Sequence, residues 1–158
     1  MGIMKWVLAG LLFPLLAMAV QPPQIGYIPL HDGTRLAYIL YKPAAAGRFP
    51  VLVKYEPYWG GGTQFKVEEP LYLQHAYAVM MVNVRGTGCS SGQFHRIREP
   101  IQVQDGAEVI EWAGTQLWSD GNVGMFGNSY SGITQLMVGP LRPKHLKVLA
   151  MGGIVSDG

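Results

Sequence analysis

Apolar and polar positions change period several times along the chain, which predicts strands interleaved with helices. Short β-rich runs at 27–30 and 35–41 flank Asp32-Gly33, and an Asp-Gly step between such runs predicts a hairpin of antiparallel strands. Two more strands are predicted at 50–55 and 77–84, and the second is a nearly continuous apolar run, typical of a strand buried on both faces. Such a strand needs helices on both sides of its sheet.

The rest of the chain predicts helices and strands in alternation. Apolar residues at steps of three and four predict a helix over 103–117, followed by a turn at 119–122 and a strand at 123–126. A second helix ends near Gly139, and 146–151 reads as another buried strand. The apolar face of the first helix comprises Val103, Ala107, Ile110, Ala113 and Leu117. This order predicts an α/β fold with a mostly parallel sheet, right-handed crossovers and no internal domain boundary.

The N-terminal residues have the composition of a secretory signal peptide. Lys5 precedes an apolar run at 6–16, and the small residues of Ala17-Met18-Ala19 follow. The run is short for a membrane span of about 20 residues, and Pro14 interrupts it. We expect residues 1–19 to be a signal peptide cleaved after Ala19, giving a secreted or periplasmic protein with no further membrane attachment. An uncleaved anchor is the alternative.

Composition and charge exclude several classes of protein. The sequence has 12 Lys+Arg against 10 Asp+Glu and 49% hydrophobic residues, which suits a folded domain and offers no basic stripe for nucleic acid. Cys89 is the only cysteine, so no internal disulfide is possible, and we expect it to be a small buried or half-buried residue in a tight loop. The histidines are scattered without ligand spacing, so no metal and no cofactor is predicted.

The segment with the clearest chemistry surrounds Ser129, between a predicted strand and a predicted helix. Gly127 precedes it by two positions and Gly132 follows by three. A strand that turns sharply into a helix can expose a strained serine only between small neighbours, as in a nucleophile elbow. The amide of Tyr130 would then face the negative charge that develops on an attacked carbonyl oxygen. The strict G-x-S-x-G pattern has glycine where this chain has Ser131, so an ordinary strand-to-helix turn is the alternative.

A wider resemblance rests on five segments: 127–132, 118–125, 84–92, 32–36 and 57–58. Together they resemble the Xaa-Pro dipeptidyl-peptidase and cocaine-esterase-like acyl hydrolases, from Ile25 to the end of the sequence. In that family the elbow reads G-x-S-Y-x-G, which accommodates Ser131. The resemblance implies the α/β-hydrolase fold, Ser129 as nucleophile, and an oxyanion hole formed by the Tyr58 hydroxyl and the Tyr130 backbone amide.

The surroundings of Tyr58 agree with such a role. It follows a predicted strand and Pro57 and precedes the glycines at 60–62. This order puts its ring at the carboxyl edge of the sheet, where open α/β sheets bind ligands. Packing of the ring against Trp59 is the alternative.

The other members of a catalytic triad are not found in the expected order. In this fold the serine is followed by an acid and then a histidine. Here His145 precedes Asp157, and His145 is expected to be a solvated loop residue at the opposite edge of the sheet. The resemblance puts both partners beyond residue 158. We therefore expect residues 20–158 to be the N-terminal portion of a longer catalytic domain, incomplete at its C-terminus, inactive alone and destabilised by an exposed sheet edge.

The leading hypothesis is a serine hydrolase that cleaves an ester or amide bond, including Xaa-Pro peptide bonds, through an acyl-enzyme on Ser129. Its substrate would be a small ester or a short peptide. A nucleotide-binding domain is a weaker hypothesis, because the loop 86–92 follows an apolar strand but has Ser91 where the fingerprint has its third glycine. A non-catalytic binding module on a hydrolase scaffold is the third. The sequence specifies neither the substrate nor the oligomeric state.

Overall fold

The computed structural model describes residues 22–58 and 68–153, so the predicted signal peptide, Trp59 and Asp157 lie outside the described residues. The strands are β1 (Gln24–Pro29), β2 (Arg35–Tyr41), β3 (Phe49–Glu56), β4 (Ala78–Asn83), β5 (Ser119–Asn128) and β6 (Leu146–Gly152). The helices are α1 (Glu68–Gln74), α2 (Pro100–Thr115) and α3 (Tyr130–Val138), and a 3-10 turn at Gly139–Leu141 follows α3. In the described part of the chain, no helix has both the length and the apolar character needed to cross a bilayer.

The strands form one six-stranded sheet in the order β1-β2-β4-β3-β5-β6. β1 and β2 are antiparallel, and β2 is antiparallel to β4. The pairs β3–β4, β3–β5 and β5–β6 are parallel. This arrangement confirms the predicted α/β fold with a mostly parallel sheet and an antiparallel N-terminal pair. The hairpin turn closes through Leu30 N–H donating to the Thr34 carbonyl at 2.8 Å, and Gly33 supplies the φ of 84° that the turn requires.

Side chains on the two faces of the sheet build two apolar clusters. In β3, Val51, Val53 and Tyr55 face α2 and α3, whereas Leu52 faces α1. Strand periodicity makes this division automatic, because successive side chains point to opposite faces. All six residues of β4 are buried, as its continuous apolar run predicts. The larger cluster lies between the sheet and helices α2 and α3.

The end of α2 differs from the sequence prediction. The helix begins at Pro100 and ends at Thr115, and Gln116 is already extended. Leu117 therefore lies outside the helix and is 94% exposed, so its assignment to the buried face was wrong. Ile110 and Ala113 are fully buried, as predicted. The helical repeat of apolar residues applies only within the helix. Leu117 lies beyond its last turn, which explains the error.

Strand β6 is also more exposed than its sequence predicts. Within the described residues it pairs only with β5, and Val148 and Met151 are 52% and 42% exposed. Its apolar run is typical of a strand covered on both sides, but here the strand forms the edge of the sheet. The prediction of a buried strand was therefore wrong for the described residues.

Cys89 is exposed, which contradicts the prediction of a buried or half-buried thiol. The loop around it is held instead by the two serines that follow. Ser90 Oγ accepts a hydrogen bond from Ala37 N–H at 2.9 Å, and Ser91 Oγ accepts one from Arg35 N–H at 2.9 Å. Hydroxyls can satisfy strand backbone groups that a thiol satisfies poorly, so the cysteine faces solvent.

Candidate active site

The candidate residues meet at the carboxyl edge of the parallel strands. Tyr58 follows β3, and Ser129 and Tyr130 follow β5, the neighbouring strand. This is the edge where open α/β sheets bind ligands. The order of the strands therefore brings together residues that are about 70 positions apart in sequence.

Ser129 occupies a strained turn between β5 and α3. Its φ is 56° and its ψ is −116°, a conformation that costs a non-glycine residue roughly 1–3 kcal/mol. Gly127 has a φ of 140°, and a Cβ at this position would overlap Ser131 Oγ. The Ser129 side chain is exposed, and among the described residues its hydroxyl makes no capping hydrogen bond to α3. The hydroxyl is thus presented to solvent at the start of a helix.

The backbone on both sides of Ser129 is held by hydrogen bonds. Its N–H donates to the Gly152 carbonyl at the end of β6 at 3.2 Å. Its carbonyl accepts from Gly132 N–H at 3.0 Å and from Ile133 N–H at 2.9 Å. These contacts connect the turn to both β6 and α3, so the strained conformation is maintained by its neighbours.

The backbone of Tyr130 begins helix α3, and its ring lies in the interior. It is the first residue of α3, where N–H groups lack an acceptor within the helix and the helix dipole is positive. Its ring is only 3% exposed, and its hydroxyl donates to Gln102 Oε1 at 3.0 Å. Burial, the nearby Tyr58 hydroxyl and the Glu99 carboxylate raise the pKa of this phenol to about 12. The phenol is therefore a hydrogen-bond donor at neutral pH.

Tyr58 lies beside Tyr130. The two ring centroids are 5.8 Å apart with an interplanar angle of 78°, an edge-to-face contact. Tyr58 is 67% exposed, so its hydroxyl is accessible from solvent. The three predicted site residues therefore lie together, because Tyr58 contacts the ring of Tyr130 and Tyr130 directly follows Ser129.

Sequence reasoning missed the residues behind this edge. Gln102 on α2 is only 3% exposed and accepts the hydrogen bond from Tyr130. On the next turn of the same helix, Asp105 is fully buried. No sequence signal identified them, because the predicted helix begins only after Gln102 and its predicted apolar face does not include Asp105.

Asp105 belongs to an ionic cluster that extends from the interior, at Asp105 and Arg85, to the exposed Asp32. The Arg85 guanidinium donates to both Asp105 carboxylate oxygens at 2.6 Å and to Asp32 Oδ2 at 2.9 Å. Burial raises the pKa of Asp105, against the effect of Arg85. Hydrogen bonds from the Thr34 backbone amide and from Arg85 lower the pKa of Asp32 to about 2. The cluster joins the β1–β2 turn, the loop after β4 and α2.

His145 lies far from the candidate site, as predicted, but it is not solvated. It precedes β6 at the end where Leu146 pairs with Val123, whereas Ser129 follows the opposite end of the pair. Its side chain is 18% exposed, with Nδ1 2.7 Å from Glu111 Oε2, and it packs against Gly114. The expectation of a solvated residue was wrong because α2 supplies a partner. The described residues therefore contain a histidine–carboxylate pair at the wrong edge to serve Ser129.

The loop 86–92 lacks the features of a nucleotide site. Gly86 N–H donates to the Ser91 carbonyl, and Ser91 N–H donates to the Arg35 carbonyl, each at 2.9 Å. These amides are unavailable to a phosphate, and α2 begins only at Pro100. Within residues 22–58 and 68–153, no group of three or more His, Cys, Asp and Glu side chains is arranged to hold a metal ion. The geometry disfavours the nucleotide-binding hypothesis.

Two known proteins are similar to this chain in sequence. A cocaine esterase from Rhodococcus sp. (strain MB1 Bresler) is 35% identical over 137 residues, which cover 82% of this chain and 23% of the esterase. A putative serine esterase from Mycobacterium bovis is 31% identical over 127 residues, which cover 67% of this chain and 20% of the relative. The chain spans about a fifth to a quarter of the length of these relatives.

Solved structures of hydrolases are similar to this chain in fold. A CocE/NonD family hydrolase from Staphylococcus aureus matches with a TM-score of 0.74 and 29% identity, over 80% of this chain and 26% of that one. An α-amino acid ester hydrolase matches in fold with a TM-score of 0.71 and 24% identity, over 81% of this chain and 24% of that one. The family model for X-Pro dipeptidyl-peptidases (S15 family) matches residues 32–158, which include Tyr58, Ser129 and Tyr130. With most of its sequence and the whole of this edge inside that match, the chain belongs to the X-Pro dipeptidyl-peptidase (S15) family and is related to hydrolases of ester and peptide bonds.

Proposed function

We propose that this chain provides the nucleophile and the oxyanion hole of a serine hydrolase. The observation that carries the proposal is the strained, exposed Ser129 at the start of α3, with no capping role for its hydroxyl among the described residues. A serine at an ordinary helix N-terminus caps the helix with its side chain. A serine held away from that role, at the ligand-binding edge of the sheet, is free to attack a substrate.

In the proposed reaction, Ser129 Oγ attacks the carbonyl carbon of an ester or amide while a histidine accepts the serine proton. The carbonyl oxygen becomes an oxyanion that accepts hydrogen bonds from Tyr130 N–H and the Tyr58 hydroxyl. The alcohol or amine then leaves with the proton from the histidine. Water hydrolyses the acyl-enzyme on Ser129 by the same steps. The acid and the histidine are proposed to come from sequence beyond residue 158.

The substrate is proposed to be a small ester, with an Xaa-Pro peptide as the alternative. The ester is supported by the 35% identity with a cocaine esterase. The peptide is supported by the name of the matching family model. The site itself favours neither, since Tyr58 and Tyr130 would stabilise the same oxyanion in both reactions.

The test uses the protein with all sequence encoded in frame after residue 158. It should hydrolyse p-nitrophenyl esters and react with a fluorophosphonate, in which Ser129 Oγ bonds to phosphorus and displaces fluoride into solvent. Ser129→Ala should abolish labelling and lower turnover at least about a thousandfold. Ser131→Ala is the matched control. The Ser131 hydroxyl donates to the Asn128 carbonyl at 2.9 Å and is not expected to be the labelled group, so this variant should still be labelled. Undiminished turnover by Ser129→Ala would contradict the proposal.

The 158-residue chain alone should not react with the fluorophosphonate, because among the described residues Ser129 Oγ makes no hydrogen bond to a histidine. Rapid, specific labelling of Ser129 in this chain would show that Ser129 reacts without the proposed histidine. Ligand binding without turnover by the protein encoded in frame would instead favour a non-catalytic binding module.

We also propose that residues 1–19 direct secretion and are removed after Ala19. N-terminal sequencing of the exported protein should begin at Val20. An intact Met1 on that protein would contradict cleavage.

A further inference from the structure

Gln102 connects the candidate site to the elements behind it. Its Oε1 accepts from the Tyr130 hydroxyl at 3.0 Å. Its Nε2 donates to the Arg96 carbonyl at 2.9 Å and lies 3.5 Å from Glu99 Oε2. Its own carbonyl accepts from the Tyr55 hydroxyl at 3.3 Å. One buried side chain of α2 thus joins α3 to the loop before α2, while its backbone joins β3.

These contacts permit one orientation of the Gln102 amide. Exchanging its oxygen and nitrogen would place Oε1 against two acceptors, the Arg96 carbonyl and the Glu99 carboxylate. An unsatisfied buried acceptor facing other acceptors is strongly unfavourable. Oε1 must therefore face Tyr130, and the Tyr130 hydroxyl must donate. The hydrogen bond has a defined direction, which fixes the ring of Tyr130.

The ring of Tyr130 is in turn connected to both candidate oxyanion donors. The backbone amide of the same residue is the first N–H of α3. The other donor, Tyr58, is 67% exposed and packs its ring edge-to-face on that of Tyr130. A side chain so exposed has few contacts to restrict its rotamer, so this ring contact orients it.

We propose that Gln102 is a positioning residue that, by holding the Tyr130 ring, sets the orientation of the Tyr130 amide and the Tyr58 hydroxyl. The inference rests on the proposed function. Gln102 touches neither substrate nor Ser129 in this scheme. Its effect is on the transition state, because oxyanion donors matter most once charge has developed on the carbonyl oxygen.

The test replaces Gln102 in the protein encoded in frame. Gln102→Met keeps the length of the side chain but removes the hydrogen bond. We expect kcat for a p-nitrophenyl ester to fall about tenfold or more, with KM changed less than about twofold. Gln104→Met, an exposed glutamine on the same helix, is the matched control and should leave both constants unchanged. A role in stability alone would lower the melting temperature of Gln102→Met without changing kcat.

Further variants separate positioning from general disruption. Tyr130→Phe removes the same hydrogen bond from its other end, so the double variant with Gln102→Met should lose no more kcat than either single variant. Gln102→Glu puts a carboxylate beside Glu99 and should lose activity. Adding Glu99→Gln removes the repulsion from Glu99 but leaves the new carboxylate facing the Arg96 carbonyl, so it should recover only part of the lost kcat.

The outcomes distinguish this inference from the proposed function. Unchanged kcat in Gln102→Met, or fully additive losses in the double variant, overturns the positioning role while leaving Ser129 as nucleophile. Undiminished turnover by Ser129→Ala, or no hydrolysis by the parent protein, overturns both.

Discussion

Ser129 shows how a single residue can be held in a conformation that its own side chain disfavours. The turn is stabilised from outside, through Gly152 on one side and Ile133 on the other. Gly127 contributes by having no side chain, since a Cβ there would overlap Ser131 Oγ. The glycine spacing around Ser129 is therefore a steric requirement, visible in the sequence because it acts within a few residues.

Gly127→Ala tests this requirement. The variant combines a disfavoured φ of 140° with the overlap, so we expect a loss of unfolding free energy of roughly 2–4 kcal/mol. Gly47→Ala is the matched control, because Gly47 has a φ of 143° with nothing within 4 Å of the added Cβ. Urea denaturation measures both. Equal losses of unfolding free energy in the two variants would show that the positive φ alone, without the overlap, requires glycine at position 127.

Asp32 should make stability depend on acidity. Its folded pKa of about 2 lies below the unfolded value of 3.8, so its stabilising effect is present above about pH 4 and is lost as the pH falls toward 2. Asp32→Asn keeps an oxygen for the Thr34 amide but not the charge facing Arg85. The variant should lose less stability than the parent between pH 5 and pH 3, measured by urea midpoints.

At the scale of elements, α2 supplies polar partners to residues of several other elements. It places Gln102 against α3, Asp105 against Arg85, and Glu111 against His145. Its apolar stripe was predictable from the helical period. Its polar contacts were not, because their partners come from other elements and sequence spacing says nothing about which elements are adjacent.

Glu111 and Glu108 allow a matched comparison on this helix. Each accepts hydrogen bonds from the backbone amide and ring of a histidine, but the His145 side chain is 18% exposed and that of His31 is 69% exposed. Glu111→Ala should lower the unfolding free energy by about 1 kcal/mol, and Glu108→Ala by less, because solvent replaces exposed contacts readily. Equal effects in thermal or urea denaturation would contradict a tether between α2 and β6.

Helix α1 shows a limit of sequence interpretation at this scale. The helix covers Leu52 and Phe126 on the second face of the sheet, with Leu73 buried and Tyr72 packed edge-to-face on Phe126. Its seven residues are too few to produce a clear helical period. The element is stabilised by the sheet it covers, so a local pattern does not predict it.

For the whole molecule, the strand order leaves β6 at an edge of the sheet. Among the described residues its outer side pairs with no other strand and lies beside exposed apolar side chains, an arrangement that favours association between sheets.

Val148→Lys tests this edge in the 158-residue chain. Placing a charge on an edge strand opposes strand pairing, so sedimentation should show less self-association than in the parent. Leu117→Lys is the control, because Leu117 is 94% exposed but outside any strand. An equal reduction by both variants would point to general apolar exposure instead of the sheet edge.

The sequence by itself determined the alternation of strands and helices, the hairpin and the elbow at Ser129, because strand and helix periods and glycine spacing act over a few residues. The segments that resemble the hydrolase family extended this to the fold class and to Tyr58. Only the tertiary structure decided that Tyr58 packs on Tyr130, that Gln102 holds the Tyr130 ring, and that His145 pairs with Glu111 at the far edge. These contacts join residues far apart in sequence, and they exist because the order of strands in the sheet makes their elements neighbours.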